Sequence, residues 1–197
     1  MFKKGLCFTF FFLFLTSFAC AQTNPLDRIV NDEESAKVCV ANAKFALGIL
    51  GIKIDRDILI RVENLDDLQR EAGRGHRSGG NTLAFYRAHS PEAIWLPKGY
   101  KVSELTPYVA HELVHAWQST NCPLQDVAIE EGLAEWAGMK TCQITRRPDL
   151  VPRFLNYGND VQVNKMIQYF IQLEKKGGFK AVLDYAKTAT KLPKEVL

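Results

Sequence analysis

The sequence has almost no excess charge, and this lack excludes several kinds of partner. Its 197 residues include 25 basic and 22 acidic side chains. Two of the lysines lie in an N-terminal segment that we expect to be removed, so the mature chain would be closer still to neutrality. Without a strong field of one sign, neither nucleic acid nor anionic lipid is favoured as a partner. We therefore expect no nucleic-acid binding.

The sequence also lacks an apolar run of the roughly 20 residues that a membrane-spanning helix needs. The longest run, residues 6–18, follows two lysines and precedes A-C-A, which fits the small-x-small cleavage rule. This pattern predicts a secretory signal peptide at residues 1–21, a secreted or periplasmic protein, and no transmembrane segment in the mature chain. A lipid anchor at Cys20 is the alternative, but the residues before it lack the usual leucine of a lipobox.

Few cysteines remain outside that signal. Residues 22–197, which are enough for one domain and too few for two, contain Cys39, Cys122 and Cys142. Their spacing matches no zinc-thiolate motif. The odd number predicts one disulfide and one free thiol in an exported protein. If the two helices described next form a hairpin, Cys122 and Cys142 lie too far apart to bond, so Cys39 is the expected partner of one of them.

A predicted core helix carries the motif H-E-x-x-H. Thr106 is its expected N-cap, and Pro107 suits the first helical position. Residues four apart project from nearly the same side of a helix, so His111 and His115 could hold one metal ion with Glu112 beside them. Two buried histidines in a structural helix are the alternative interpretation.

A second helical stretch, E-E-G-L-A-E-W from Glu130 to Trp136, follows at a separation typical of a helical hairpin. Its carboxylates offer a third ligand. Two imidazoles and one carboxylate would leave one position of a tetrahedral zinc ion open, which is what a catalytic zinc site requires. The two stretches together therefore predict a site for one Zn²⁺ ion.

The other segments predict a scaffold around these two helices. Their patterns indicate helices at residues 31 to about 50, 65–72, 160–175 and 179–188, and strands at 57–62, 81–87 and 93–96. In the first helix, Val38, Ala41, Phe45 and Leu47 suggest the packed face. The predicted fold class is α+β: a small sheet, then the H-E-x-x-H helix and the glutamate helix, then a helical C-terminal part.

Two further parts of the sequence contain candidate site residues. Residues 73–80 form a glycine-rich, basic segment, but it lacks the spacing of a P-loop, so we expect no phosphate site and a solvated His76. Tyr157 and Tyr169 could offer a phenol to a transition state, although tyrosines in such helical contexts more often belong to the core.

The two motifs carry a resemblance to a known family. H-E-L-V-H-A-W-Q followed by E-E-G-L-A-E-W resembles the gluzincin metallopeptidases, and residues 73–138 are similar to the peptidase domain of the plant organ-size regulators that carry LIM domains. Their LIM and ubiquitin-interacting segments have no counterpart here. The resemblance implies a zincin-like fold, one Zn²⁺ ion and a peptide or protein substrate. It implies His111, His115 and Glu131 as ligands and Glu112 as general base.

The resemblance leaves two ways to choose the third ligand. Counting residues as in the thermolysin-like enzymes points to Glu135, whereas matching the E-G motif points to Glu131. We favour Glu131, because loop length varies easily while the residues that face a metal do not. Glu135, one turn further on the same face, would then accept the outer N–H of a ligand histidine. Glu130 points away and is expected to be solvated.

The function expected from these residues is that of an exported zinc metallopeptidase. Zinc would lower the pKa of a water molecule toward 7, and Glu112 would accept its proton. In zincins the strand before the active helix is the edge of the sheet, along which a substrate peptide lies. By analogy residues 93–96 could form such an edge, and an ordinary inner strand is the alternative that the sequence leaves open. The alternative is a non-catalytic zincin-fold binding protein of the cell envelope, against which the intact Glu112 argues.

Overall fold

The computed structural model describes residues 24–73, 83–88 and 91–197. The predicted signal peptide, Cys20 and His76 lie outside the described residues. Within them the chain is α+β, and its elements are helices α1 (Glu33–Ile49), α2 (Leu65–Gly73), α3 (Val102–Asn121), α4 (Val127–Ile144), α5 (Val151–Phe154) and α6 (Val161–Ala186) and strands β1 (Leu59–Glu63), β2 (Phe85–Arg87) and β3 (Ala93–Pro97). None of these helices has the length and apolar character needed to cross a bilayer.

The three strands form a mixed sheet in the order β1-β3-β2. Strand β3 is parallel to β1, with Ile94 opposite Ile60, and antiparallel to β2, with Ile94 opposite Tyr86. Of the two positions left open for residues 93–96, edge and inner strand, the structure has the inner one, because β3 is the central strand. Four of its five residues are buried, as is usual for a strand covered on both faces. The edge next to α3 is β2.

Helix α1 begins and ends close to the predicted residues. Asp32 caps it by accepting the Ser35 N–H (2.7 Å), and Gly51 ends it in the left-handed region at φ +86°. Its predicted packed face is right for Leu47, which is fully buried, and wrong for Ala41 and Phe45, which are exposed. Small residues such as Ala36 and Ala43 make up most of the buried face and let the helix lie close to α3.

Helix α3, which carries the H-E-x-x-H motif, begins more than one turn earlier than predicted. Its N-cap is Lys101, whose backbone N–H donates to the Glu104 carboxylate (2.9 Å). Thr106 and Pro107 lie inside the helix. Pro107 removes only one main-chain hydrogen bond, and the Thr106 hydroxyl donates to the Val102 carbonyl (2.7 Å) beside it. The earlier start places the motif in the middle of the helix, away from its ends.

Helices α3 and α4 form an antiparallel hairpin at the centre of the core. Helix α4 packs against α3 on one side and against α6 on another, so it is buried almost all round. Two glycines allow this close packing. A Cβ on Gly132 would lie 2.6 Å from the Cβ of Met166, and a Cβ on Gly138 would overlap the ring of Phe154. The second contact fixes α5 on α4.

The C-terminal part is helical, as predicted. Helix α6 is interrupted at Gly177 and Gly178, the residues that were predicted to separate two helices. Gly178 has φ +67°, a conformation that glycine adopts without steric cost. The first half of α6 covers α4 through the buried side chains of Met166 and Phe170.

Cys39, Cys122 and Cys142 are free thiols, so the disulfide predicted from Cys39 is absent from the described residues. The Cys39 thiol donates to the carbonyl of Val102, the first residue of α3 (3.6 Å), whereas Cys122 follows the last. A helix of this length spans about 30 Å, so these two cysteines cannot bond. Burial raises the pKa of both Cys39 and Cys142 to about 12, which suppresses the thiolates that disulfide exchange needs.

The glycine contact between α4 and α5 gives a stability prediction. Gly138→Ala should lower the free energy of unfolding by roughly 1–3 kcal/mol, because the added methyl group overpacks the Phe154 ring. The matched control is Gly48→Ala in α1, where a Cβ meets nothing within 4 Å. That variant should gain about 0.4–1 kcal/mol from reduced backbone entropy in the unfolded chain. Urea unfolding measures both, and equal effects would contradict the packing argument.

Candidate metal centre

Three side chains on the helical hairpin direct donor atoms at one point. The Nε2 atoms of His111 and His115, one turn apart on α3, are 3.1 Å apart. An oxygen of Glu131 on α4 lies 3.5 Å from the first and 3.7 Å from the second. All three donor atoms fall within 4.8 Å of one another, so these residues could hold a metal ion.

The outer nitrogens of both imidazoles are held by acceptor oxygens. Nδ1 of His111 lies 3.4 Å from a Glu135 oxygen, and Nδ1 of His115 lies 3.1 Å from the amide oxygen of Gln118. Since an acceptor at Nδ1 places the proton there, Nε2 of each ring is left with a lone pair for a ligand. Gln118 was not predicted as a site residue, although its position one turn after His115 is a usable signal.

The two candidate glutamates of α4 occupy different places. The Glu131 carboxylate faces both inner imidazole nitrogens, whereas Glu135 faces only the outer nitrogen of His111. Glu130 lies outside this cluster and is half-buried, and its backbone carbonyl accepts a hydrogen bond from the Gln118 amide (3.1 Å). The arrangement corresponds to the roles expected from the E-G match rather than from residue counting.

Glu112 lies beside the imidazoles and is tied to the edge strand. One of its carboxylate oxygens accepts the backbone N–H of Tyr86 in β2 (2.8 Å). Burial raises the pKa of Glu112 to about 7, so the group sits near its point of half-protonation at neutral pH. A carboxyl group in that range can both take up and release a proton.

A cluster around Arg56 fixes β2 against the end of α3. The Arg56 guanidinium pairs with Glu92 (2.8 Å) and donates to the Thr120 hydroxyl (2.8 Å) and to the Ala116 carbonyl. The Tyr86 hydroxyl donates to the same Glu92 carboxylate. These contacts hold Tyr86 by its side chain while its N–H meets Glu112.

The buried charges in this cluster shift one another. Burial alone would disfavour charge on His111, but the carboxylates of Glu135, Glu131 and Glu112 outweigh it and raise the pKa of His111 to about 10. Burial likewise opposes charge on Glu131, but the two imidazoles lower the pKa of Glu131 to about 2. Burial raises the pKa of Glu135 to about 7. Without a metal ion, the cluster therefore binds an extra proton.

Tyr157 belongs to the site and Tyr169 does not. Tyr157 and Glu131 both line the cleft, and burial, followed by the charge of Glu131, raises the pKa of the Tyr157 phenol well above its usual range. Tyr169 instead packs against Tyr185 within the C-terminal helical part, with the two rings tilted by 60° and their centroids 5.1 Å apart. The sequence offered no ground for choosing between the two tyrosines, because no local pattern predicts the turn that brings residue 157 over α4.

The site opens into a cleft of about 1430 Å³. Residues 83–88, which include β2, line it together with the exposed faces of α3 and α4 and the segment between α5 and α6. Among the residues that line it are His111, Glu112, His115, Glu131 and Tyr157. The cleft therefore gives a bound molecule direct access to the cluster.

The raised pKa of His111 predicts how the metal-free protein responds to pH. A folded-state pKa of about 10, against 6.5 for the ordinary group, means that stability from the imidazolium is complete below pH 6.5 and is lost as the pH rises toward 10. The raised pKa values of Glu112 and Glu135 act in the same direction between pH 4.5 and 7. In a chelator, the urea midpoint should fall over this range, and imidazole NMR should find His111 protonated at pH 8. An imidazole that titrates near 6.5 would contradict the geometry.

No family model, no curated protein and no solved structure matches this chain.

Proposed function

We propose that the protein is an exported zinc-dependent peptidase with a zincin-like site of the gluzincin type. The observation that carries the proposal is the convergence of two imidazole nitrogens and one carboxylate oxygen beside a second buried carboxylate, Glu112. Export rests on the N-terminal sequence alone. The zincin-like assignment rests on the order of the elements, in which a small sheet precedes the H-E-x-x-H helix and the glutamate helix.

The size of the donor triangle suits zinc. With bonds of about 2.0–2.2 Å in a tetrahedron, neighbouring donor atoms lie about 3.3–3.6 Å apart. The three separations among His111, His115 and Glu131 are 3.1, 3.5 and 3.7 Å. Calcium and magnesium prefer shells of oxygen atoms, so the two imidazoles favour zinc over them. A fourth ligand can enter from the cleft, which all three residues line.

The electrostatics of the cluster also favour a cation. Three carboxylates and two imidazoles share a buried space, and the carboxylates draw a proton onto His111. One oxygen of Glu135 is buried with no hydrogen-bond partner among the described residues. A divalent ion would supply the positive charge that the proton now provides, and it would leave both imidazoles neutral as ligands.

The proposed chemistry divides among a few side chains. Zinc held by His111, His115 and Glu131 would polarise a water molecule and a peptide carbonyl. With zinc bound, Glu112 would accept the proton from that water and pass it to the leaving amine, and the Tyr86 N–H would keep the carboxylate oriented for both transfers. Tyr157 keeps its proton at neutral pH, so its hydroxyl can donate to the carbonyl oxygen as negative charge develops there.

An extended peptide is the substrate form that the cleft suits best. Strand β2 is the sheet edge beside Glu112, and residues 83–88 line the cleft. A peptide that adds to this edge would place its backbone next to the metal ligands. The substrate would therefore pair with β2 rather than with the strand that directly precedes α3.

The alternative function is that of a non-catalytic binding protein of the cell envelope. One assay distinguishes this alternative from the peptidase. The test measures zinc content and the cleavage of an unfolded protein such as casein in the same preparation. Zinc in a one-to-one ratio together with cleavage supports the peptidase. Stoichiometric zinc without cleavage of casein or of short peptides would support the binding protein.

Glu112→Gln tests the general base. The variant should keep its zinc and its fold, because the amide fills the same space and its oxygen can still accept the Tyr86 N–H. Turnover should fall by about 10²–10⁴, the contribution typical of a positioned base. Zinc content and the rate of peptide cleavage are measured on the same preparation. Turnover at the wild-type rate would contradict the role of Glu112 as general base.

Three glutamate variants of α4 test the ligand assignment. Glu131→Ala should abolish tight zinc binding, because it removes the oxygen that faces both inner nitrogens. Glu135→Gln should weaken zinc binding by about 10–100-fold, because the carboxylate charge beside the outer nitrogen of His111 is lost. Glu130→Ala, which removes the adjacent carboxylate, is the control and should change affinity little. Zinc retained in Glu131→Ala and lost in Glu135→Ala would exchange the two roles.

A further inference from the structure

Among the residues that the structure describes, two arginines line the cleft, and only one of these two is paired with a described carboxylate. Arg87 of β2 forms an ion pair with Glu71 (3.2 Å) and lies over the ring of Trp95 (5.5 Å to the centroid). Arg153 of α5 has no carboxylate within 4.0 Å among residues 24–73, 83–88 and 91–197. Its one hydrogen bond there is from Nη1 to the Tyr108 hydroxyl (3.3 Å). The exposed Arg153 guanidinium therefore keeps most of its donors for a bound molecule.

The position of Arg153 is built into the packing. The next residue, Phe154, is buried and sits against Gly138, where no side chain competes for the space. The same ring contacts Tyr108 (centroids 5.1 Å apart), the partner of Arg153. Pro152 lies in the first turn of α5, so the backbone before Arg153 has little freedom. Four-residue α5 is thus anchored by one aromatic side chain and presents its arginine to the cleft.

Arg153 lies at one defined end of the site. Its partner Tyr108 is one turn before His111 on α3, whereas Gln118, which contacts the Glu130 backbone, is one turn after His115. The cleft therefore carries an unpaired cation at the Tyr108 end and the Glu130 carboxylate at the other. Such a gradient of charge favours one direction for a bound peptide.

We propose that Arg153, positioned by Tyr108 and Phe154, recognises a carboxylate of the substrate one or two residues from the bond that is cleaved. The inference deepens the proposed peptidase function and rests on it. A guanidinium with free donors binds a carboxylate through two parallel hydrogen bonds, and the hydrogen bond to the Tyr108 hydroxyl holds the Arg153 group in place for this contact. The carboxylate is either the C-terminus of a peptide or the side chain of Asp or Glu.

Binding to a protein that cannot turn over tests the inference. The probes are N-acetylated hexapeptides of one sequence that differ in a single group: a C-terminal carboxylate or amide, and Glu or Gln at each interior position. Dissociation constants are measured by calorimetry with zinc-supplemented Glu112→Gln protein. One carboxylate probe should bind roughly 10–100-fold more tightly than its neutral partner, the range expected for a charge-assisted hydrogen bond. Which pair shows the difference separates the two sources of the carboxylate.

The same ratio is then measured after a change at Arg153. Arg153→Gln should bring the ratio close to one, and Arg153→Lys should restore part of it, because the charge returns without the fork. Arg61→Gln is the matched control. It removes the same charge from an exposed residue of β1 that does not line the cleft, and it should leave the ratio unchanged. Equal affinity for every pair, or no measurable affinity for any carboxylate probe, would overturn the inference.

Cleavage by the protein with Glu112 intact distinguishes this failure from that of the proposed function. If peptides are cleaved but kcat/KM is the same for charged and neutral partners, the peptidase function is supported and recognition by Arg153 is refuted. If the binding preference is present with Arg153, is lost in Arg153→Gln, and no peptide bond is cleaved, recognition is supported and the peptidase function is refuted. The KM of the carboxylate probe should carry most of the effect of Arg153→Gln, since the guanidinium does not touch the reacting atoms.

Discussion

Two imidazoles and three carboxylates face one another between α3 and α4, where burial makes every unbalanced charge costly. Their side chains can meet only if the two helices lie close and keep a fixed register. Glycines at 132 and 138 let α6 and α5 pack directly on other sides of α4, which fixes the position of that helix. The site therefore depends on the scaffold. The tight core that buries the charged side chains also holds them near enough to neutralise each other or to share an ion.

The helices and the cluster residues are local features, and the sequence predicted them well. Spacing of four on one helix puts His111 and His115 together whatever the rest of the chain does, and Gly51 and Gly178 mark helix ends because their backbone angles exclude most other residues. The E-G match selected Glu131 as the residue of α4 that faces the metal. The Glu131 carboxylate does face both inner imidazole nitrogens. The order of strands is not local. Nothing in residues 93–96 indicates that residues 85–87 will pair outside them, so the sequence left the edge of the sheet undecided.

The predictions that were wrong have a similar origin in long-range packing. Phe45 looked like a core residue, but α1 approaches α3 too closely for a ring, and alanines take the buried face. Cys39 looked like half of a disulfide, yet it faces the opposite end of α3 from Cys122. Tyr157 and Arg153 reach the cleft only because a short segment folds back over α4. Such residues become visible once the path of the chain is known, because their chemistry depends on what they are placed beside.

The candidate ligands all come from the single helical hairpin of α3 and α4, and this locality bears on the order of folding. Closing the short connection between these helices costs little chain entropy, so the donor set can assemble while distant segments are still unfolded. Tyr157 and Arg153 follow the hairpin in the chain and reach the cleft only when α5 packs on Gly138. A metal ion that binds early would thus act as a nucleus for the hairpin. The wall that would select a substrate forms afterwards, so a nascent chain would hold its metal before it could hold a peptide.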